Sequence, residues 1–517
     1  MARSSSKTRR ARTAWLACGG VCGALAAGSG AACNFENGTP ANPEAGAPDV
    51  IFTVPEAGGI DGSADAPPGD ATSEAMPDAS PDAAVDAPAE APCVPAGTPV
   101  MHTADISADE TWAGGIHLVP SSLQIKGGAR VTVGACSEVR LGAGASITVT
   151  ASAAGFDAVG TASAPITFVA EQAGTRWGAL DVTAPATSHL AYVTLTGGGT
   201  GPHDSAPVAG ATLAAHGSDP QRPVVFNLEQ VTVRGSGGLG VFLRGARLDP
   251  SSAGLTITGS GWYPLYTGVG SVSELPSGSY TGNAIDQILL QTYQVAAYDD
   301  MGALLSDVTM HDLGVPYRVG TVSSSIRIGD GLAASPPASL TIEAGVTLLF
   351  SPQGTGGASE ILVSSQPAGS GAQPQGALVV QGTAAAPVTF DSAAGSPAVG
   401  DWLGLYFSHV IAPKTSIQHA RILHAGGTSG AVGICGSTPA AMNGVATCAL
   451  IVLLDAPPSA SFLASSHIEA APCGVYRGWA KTDVDFTSGN EFVSVPGCVQ
   501  TSIPNASGAC STCTAGP

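Results

Sequence analysis

Gly160–Phe168 reads GTASAPITF and Gly382–Phe390 reads GTAAAPVTF, and this pair of stretches decides the fold. Seven of the nine positions are identical, and the changes are Ser163 to Ala385 and Ile166 to Val388. Further matches lie outward in the same order. Upstream, Val131-Thr132-Val133 and Glu138-Val139-Arg140-Leu141 answer to Leu340-Thr341-Ile342 and Thr347-Leu348-Leu349-Phe350. Downstream, Trp177-Gly178-Ala179-Leu180 answers to Trp402-Leu403-Gly404-Leu405, and Leu190, Tyr192 and Leu195 answer to Ile417, His419 and Ile422. The chain carries one unit, of roughly two hundred residues, twice.

Each unit is a series of short apolar-alternating pieces, such as Ile147–Val149, Ile166–Phe168 and Leu190–Leu195, punctuated by Gly, Ala, Ser and Pro. Such runs predict strands. No stretch after residue 35 keeps a helical apolar period for three turns, so helix content is predicted to be low. Val131 to Gly160 spans 29 residues and Leu340 to Gly382 spans 42, the excess falling in a Gly/Ser/Gln/Pro-rich stretch. A solenoid tolerates insertions of this kind because each coil touches only its neighbours. The expectation is an all-β fold, a right-handed parallel β-helix with two related copies in tandem. The competing architecture is a pair of antiparallel sandwiches, which requires tight Asn-Gly or Asp-Gly hairpins. Asp330-Gly331 is the main one in the body of the chain.

Three further stretches carry a family resemblance: Ser339–Phe350 (SLTIEAGVTLLF), Gly376–Phe390 (GALVVQGTAAAPVTF) and Gly400–Phe407 (GDWLGLYF). Together they resemble the consensus of bacterial parallel β-helix surface proteins of the pectin-lyase-like superfamily. Leu255–Asn283 and Ser466–Asn490 resemble coils of the same family. The resemblance covers about residues 110–500. It implies the fold strongly and an activity weakly.

Only 11% of the 517 residues are charged, and the net charge is −20. That balance argues against a nucleic-acid partner, which needs clustered Lys and Arg. Residues 1–33 read as an export signal: Lys7, Arg9, Arg10 and Arg12 precede an Ala/Gly-rich apolar run that ends at Gly30-Ala31-Ala32-Cys33. Cys33 is the expected lipid-attachment residue, with ordinary cleavage near Ala32 as the alternative. Residues 34–92 carry spaced Asp and Glu among Ala, Pro and Ser, and no Lys or Arg occurs between Arg12 and Lys126. A disordered acidic stalk is expected there. The β-helix copies are expected over 93–300 and 301–500, followed by a Cys-containing tail over 501–517.

Eight further cysteines, Cys93, Cys136, Cys435, Cys448, Cys473, Cys498, Cys510 and Cys513, suit disulfides in an exported chain. Proximity in sequence favours Cys435–Cys448, Cys473–Cys498, Cys510–Cys513 and Cys93–Cys136. Zinc is disfavoured, because Cys510 and Cys513 form the one closely spaced pair.

No G-x-S-x-G elbow, P-loop, G-x-G-x-x-G or H-E-x-x-H occurs. His409, His419 and His424 read as surface or coil-stacking residues. Asp299-Asp300, the Asp483/Asp485/Glu491 set and Arg318, Arg327 and Asp330 are the acidic and basic groups weighed for chemistry. Arg327 and Asp330 read equally as a strand end and its turn. Among the aromatics, Trp177 and Trp402 recur at one place in both copies and read as packing. Trp262 and Trp479 are the glycan-binding candidates. The function expected is an exported, membrane-anchored surface protein of structural, adhesive or glycan-binding kind, monomeric, without catalytic residues, metal or cofactor. The alternative is a lyase or hydrolase of acidic polysaccharides.

Overall fold

The computed structural model describes residues 93–503, except 151–153, 184–185, 201–209, 218–223, 292–302, 322–324, 331–336, 353–358, 365–374, 429–431, 436–441, 446–447, 455 and 480–483. The expected export signal, Cys33, the acidic stretch and the tail beyond 503 lie outside the described residues. Within them, strands stack into parallel sheets of 13, 8, 6, 6 and 5 members, and one antiparallel hairpin joins Val432–Cys435 to Met442–Val445. Neighbours in each parallel sheet come from successive coils, which is the topology of a parallel β-helix and excludes the paired sandwiches.

One coil shows why the residues alternate. Its first wall is Gly155–Val159, its second Ile166–Ala170 and its third Leu180–Thr183. The next coil repeats this as Thr187–Ala191, Val193–Thr196 and Leu213–His216, in register on the strands below. Phe156, Phe168, Trp177 and Leu180 point inward and are at most 1% exposed. Asp157, Thr167 and Asp181 stand between them on the outer face. Period-two alternation thus separates one continuous apolar core from three outer surfaces.

The two copies match atom for atom at their landmarks. In one, Thr161 N donates to Ala164 O at 3.1 Å and Ile166 N to Tyr192 O at 3.0 Å. In the other, Thr383 N donates to Ala386 O at 3.1 Å and Val388 N to His419 O at 3.2 Å. Trp177 and Trp402 are both fully buried, and their indole N–H groups donate to Thr196 O at 2.7 Å and Leu423 O at 2.8 Å, each at the end of the following second-wall strand. Truncating either indole to Ala opens a cavity that costs about 3–5 kcal/mol.

The copies are nevertheless joined out of phase. Upstream third-wall strands, ending with Leu265–Gly268 and Ile288–Gln291, continue directly into Tyr317–Val319, Thr347–Phe350 and Val388–Ser392. Those last are second-wall strands of the downstream copy. First walls stay stacked through a single 3-10 turn, Val269–Glu274: Ser271 Oγ donates to Ala246 O below at 3.1 Å, and Ser273 Oγ accepts from Thr309 N above at 2.8 Å. Ile166–Phe168 and Val388–Phe390 therefore share local surroundings but belong to different sheets.

Disulfides correct the sequence expectation. Cys93 pairs with Cys136 as expected, at a Cα separation of 5.9 Å, but Cys448 pairs with Cys473 at 4.3 Å. Neither Cys435–Cys448 nor Cys473–Cys498 forms, although Cys498 is itself disulfide-bonded. The reason is the coil length. Cys448 and Cys473 are 25 residues apart, one full coil, and stand in register on adjacent strands. Cys510 and Cys513, and the side chain of Cys435, lie outside the described residues.

Candidate functional site

The upstream first wall carries a polar cluster on its solvent face. Thr132, Asp157, His189 and Asn227 are in register on four successive strands. Glu229 lies two residues along from Asn227, on the same face. Arg130 pairs with Asp157 Oδ2, and its other Nη donates to Thr187 Oγ1 at 3.1 Å. Asp157 Oδ1 accepts from the backbone N–H of His189 at 3.2 Å. His189 Nε2 is 3.1 Å from Glu229 Oε1, which also accepts from Asn227 Nδ2 at 3.3 Å. Side chains of Arg130, His189 and Glu229 keep 38%, 34% and 42% of their exposure, so a ligand has access to them.

The wall continues into Arg247 and Asp249. Two hydrogen bonds from Ser251 hold the Asp249 carboxyl below its ordinary range, with smaller help from Arg247 and His189. Above them Glu274 closes the 3-10 turn. Burial raises its pKa, and a backbone hydrogen bond and, less, Arg247 only partly offset that.

Comparison of the copies singles this cluster out. Where the upstream wall has Arg130, Asp157 and His189, the downstream copy has Ser339, Val379 and Ser416. Asn227 and Glu229 answer to Phe462 and Ala464. At these positions the charges are thus specific to one copy and are not required by the coil, while the downstream first wall pairs His311 with Glu343 and Lys414 with Asp307 elsewhere. Chemically, Asp157 and Glu229 accept hydrogen bonds, Arg130 donates them, and His189 does either. The two carboxylates are two strands apart, about 10 Å along the stack, with His189 between them.

The residues singled out in the sequence fare differently. Trp262 is half-buried, edge-on to Tyr263 at 4.8 Å, beside an outer apolar cluster with Phe242 and Leu289. Trp479 is only 6% exposed and lies under the Arg477 guanidinium, so its ring offers no stacking face. Asp299, Asp300 and Asp483 lie outside the described residues. Asp485 caps a turn through Thr487, and Glu491 bonds His467 at 2.8 Å. Arg318 donates to Ala393 O at 3.1 Å and Ser351 Oγ at 3.2 Å, an anchoring role. Arg327 donates to Asp330 O at 2.7 Å, as a strand end and its turn would. His409, His419 and His424 occupy left-handed backbone positions at coil corners, and His424 bonds Asp391 at 2.7 Å. Among the described residues no group of three or more His, Cys, Asp or Glu is placed to hold a metal ion.

Fold and surface together define a class: a parallel β-helix with a mixed-charge polar cluster on one open wall. No protein-family model, no curated protein and no solved structure matches the chain.

Proposed function

We propose that this is an exported, lipid-anchored bacterial surface protein whose β-helix binds polysaccharide through the upstream first wall, without cleaving it. The observation that carries the reading is the confinement of Arg130, Asp157, His189, Asn227 and Glu229 to one copy, on a solvent-facing sheet, in a chain only 11% charged. Carboxylates that accept and a guanidinium that donates suit the hydroxyl-rich surface of a glycan. A row of sites along the stack suits an extended polymer. Asp157 and Glu229 are already engaged by Arg130 and by His189 with Asn227, which favours fixed recognition over proton transfer. The resemblance to pectin-lyase-like surface proteins supports the surface β-helix and bears only weakly on activity. The disulfides suit an oxidising compartment, and Cys33 is the proposed attachment point.

The test is affinity electrophoresis of the purified protein through a panel of neutral and acidic polysaccharides. Retardation by at least one glycan, reduced in Asp157→Ala and His189→Ala variants that keep the wild-type circular dichroism, is expected. No retardation by any glycan in the panel would remove the reading. A second reading, cleavage of acidic polysaccharide, draws on the His189 imidazole between two carboxylates. New reducing or unsaturated ends that vanish in the His189→Ala variant would establish it instead. For the anchor, Cys33→Ala is expected to move the protein from the membrane fraction to the soluble fraction, because lipid carries the attachment. Unchanged membrane association would place the anchor elsewhere.

A further inference from the structure

The upstream second wall presents a different surface. Thr167, Thr194, Thr232, Thr256 and Ser279 stand in register on five successive strands, one hydroxyl per coil. Two residues along, Thr196 and Thr258 begin a second row that Thr281 extends. All alternate with fully buried residues such as Phe168, Leu195, Val233 and Ile257, so they share the outer face. The hydroxyls of Thr167, Thr194, Thr196, Thr232, Thr256 and Thr258 bond to no other described residue. The face therefore carries a row of unengaged threonine hydroxyls and methyls, closed at its upper end by Ser279 and Thr281, whose hydroxyls bond each other at 3.3 Å. Its repeat is about 4.8 Å along the stack and about 6.6 Å along each strand.

Strand propensity alone favours Thr on such a face, but the sister copy shows that the coil does not demand it. At the positions of Thr167, Thr194, Thr232 and Thr256 the downstream copy has Thr389, Arg421, His467 and Glu491. The upstream row is thus a property of this copy and not of the coil.

We infer that this wall binds ordered water at the surface of an ice crystal. Each Thr is stiff at χ1, so the hydroxyls hold their spacing without a large entropy cost on binding. The repeat along the stack lies close to a lattice repeat of the ice crystal, which is longer than the distance between neighbouring oxygens. The methyls reduce competition from disordered solvent at the same face. No aromatic ring occurs in either row, so the platform on which sugar rings stack is missing there. Exposed Arg234 interrupts the second row between Thr196 and Thr258, and it marks that row as imperfect.

The test is partition of the full-length protein into a slowly grown ice hemisphere, together with inhibition of ice recrystallisation. Wild type is expected to enter the ice and to slow recrystallisation. Thr232→Tyr should lose both effects, while Gln381→Tyr, an equally bulky change on the exposed face of the downstream copy, should lose neither. Arg234→Thr, which completes the second row, should strengthen both, so the inference stays testable if Thr232→Tyr fails to fold. Exclusion of wild type and Arg234→Thr from ice, to the degree of an ordinary soluble protein, would overturn it. Equal activity of wild type and correctly folded Thr232→Tyr would overturn it as well. Loss of glycan binding in the Asp157→Ala variant bears on the other wall and leaves this inference unaffected.

Discussion

Tyr192 and His419 have φ of 51° and 46°, a left-handed conformation that non-glycine residues seldom adopt. Both stand at the same corner, and each carbonyl accepts the N–H that opens the second wall below. Two side chains as unlike as phenol and imidazole share the corner, so the backbone geometry is what the coil preserves. A histidine there needs no chemical role. His467 is different, because its ring nitrogens lie 2.9 Å from Glu469 and 2.8 Å from Glu491, with Arg421 in register below. Burial alone would lower its pKa, but the hydrogen bonds to the two carboxylates outweigh it and the net shift is upward. A raised folded pKa gives stability that is complete below the unfolded value of about 6.5 and fades as pH rises through the folded value. The Tm difference between wild type and His467→Gln should therefore be larger at about pH 5.5 than at about pH 9. A difference that stays constant over that range would show that His467 keeps no proton beyond its ordinary pKa.

At the scale of elements, the strands and their phase were legible because apolar alternation and turn residues are local. Partners one coil away were not. Cys448 meets Cys473 because the coil returns after 25 residues, a distance that sequence adjacency does not express. Closing that loop stabilises the third wall by about 3–4 kcal/mol on chain-entropy grounds. The double variant Cys448→Ser/Cys473→Ser should lose stability of that order in guanidinium unfolding. An unchanged midpoint would mean that the strand pairing alone holds those coils. The polar cluster was partly legible. Asp157 stands three residues before Gly160, where the sister stretch has Val379, so a charge already broke the repeat beside its best-matched block. Glu229 was hidden for a physical reason. Its counterpart Ala464 follows a long excursion that includes the hairpin of Val432–Cys435 and Met442–Val445, and this excursion displaces the match.

Across the whole molecule, the register slip decides how the copies hold together. Two copies joined in phase by a linker would each end in an open sheet and could unfold separately. Here the 13-stranded sheet passes from the third wall of one copy into the second wall of the other with no gap in its pairing. Tyr317 sits at that passage, 1% exposed, and its hydroxyl donates to His311 O at 2.8 Å. Its strand pairs with Ile288–Leu290 on one side and Leu348–Phe350 on the other. Nearest-neighbour coupling across such a junction makes the two copies one cooperative unit. Calorimetry of the protein should therefore show a single transition for the β-helix. Tyr317→Ala leaves a cavity where both copies meet, at a cost of about 3–5 kcal/mol, and should weaken the coupling itself. The expected outcome for that variant is a broadened or split transition, with one component close to the wild-type Tm. Two resolved transitions in the wild type would mean that the shared sheet does not couple the copies, and each would then have to be treated as a separate domain.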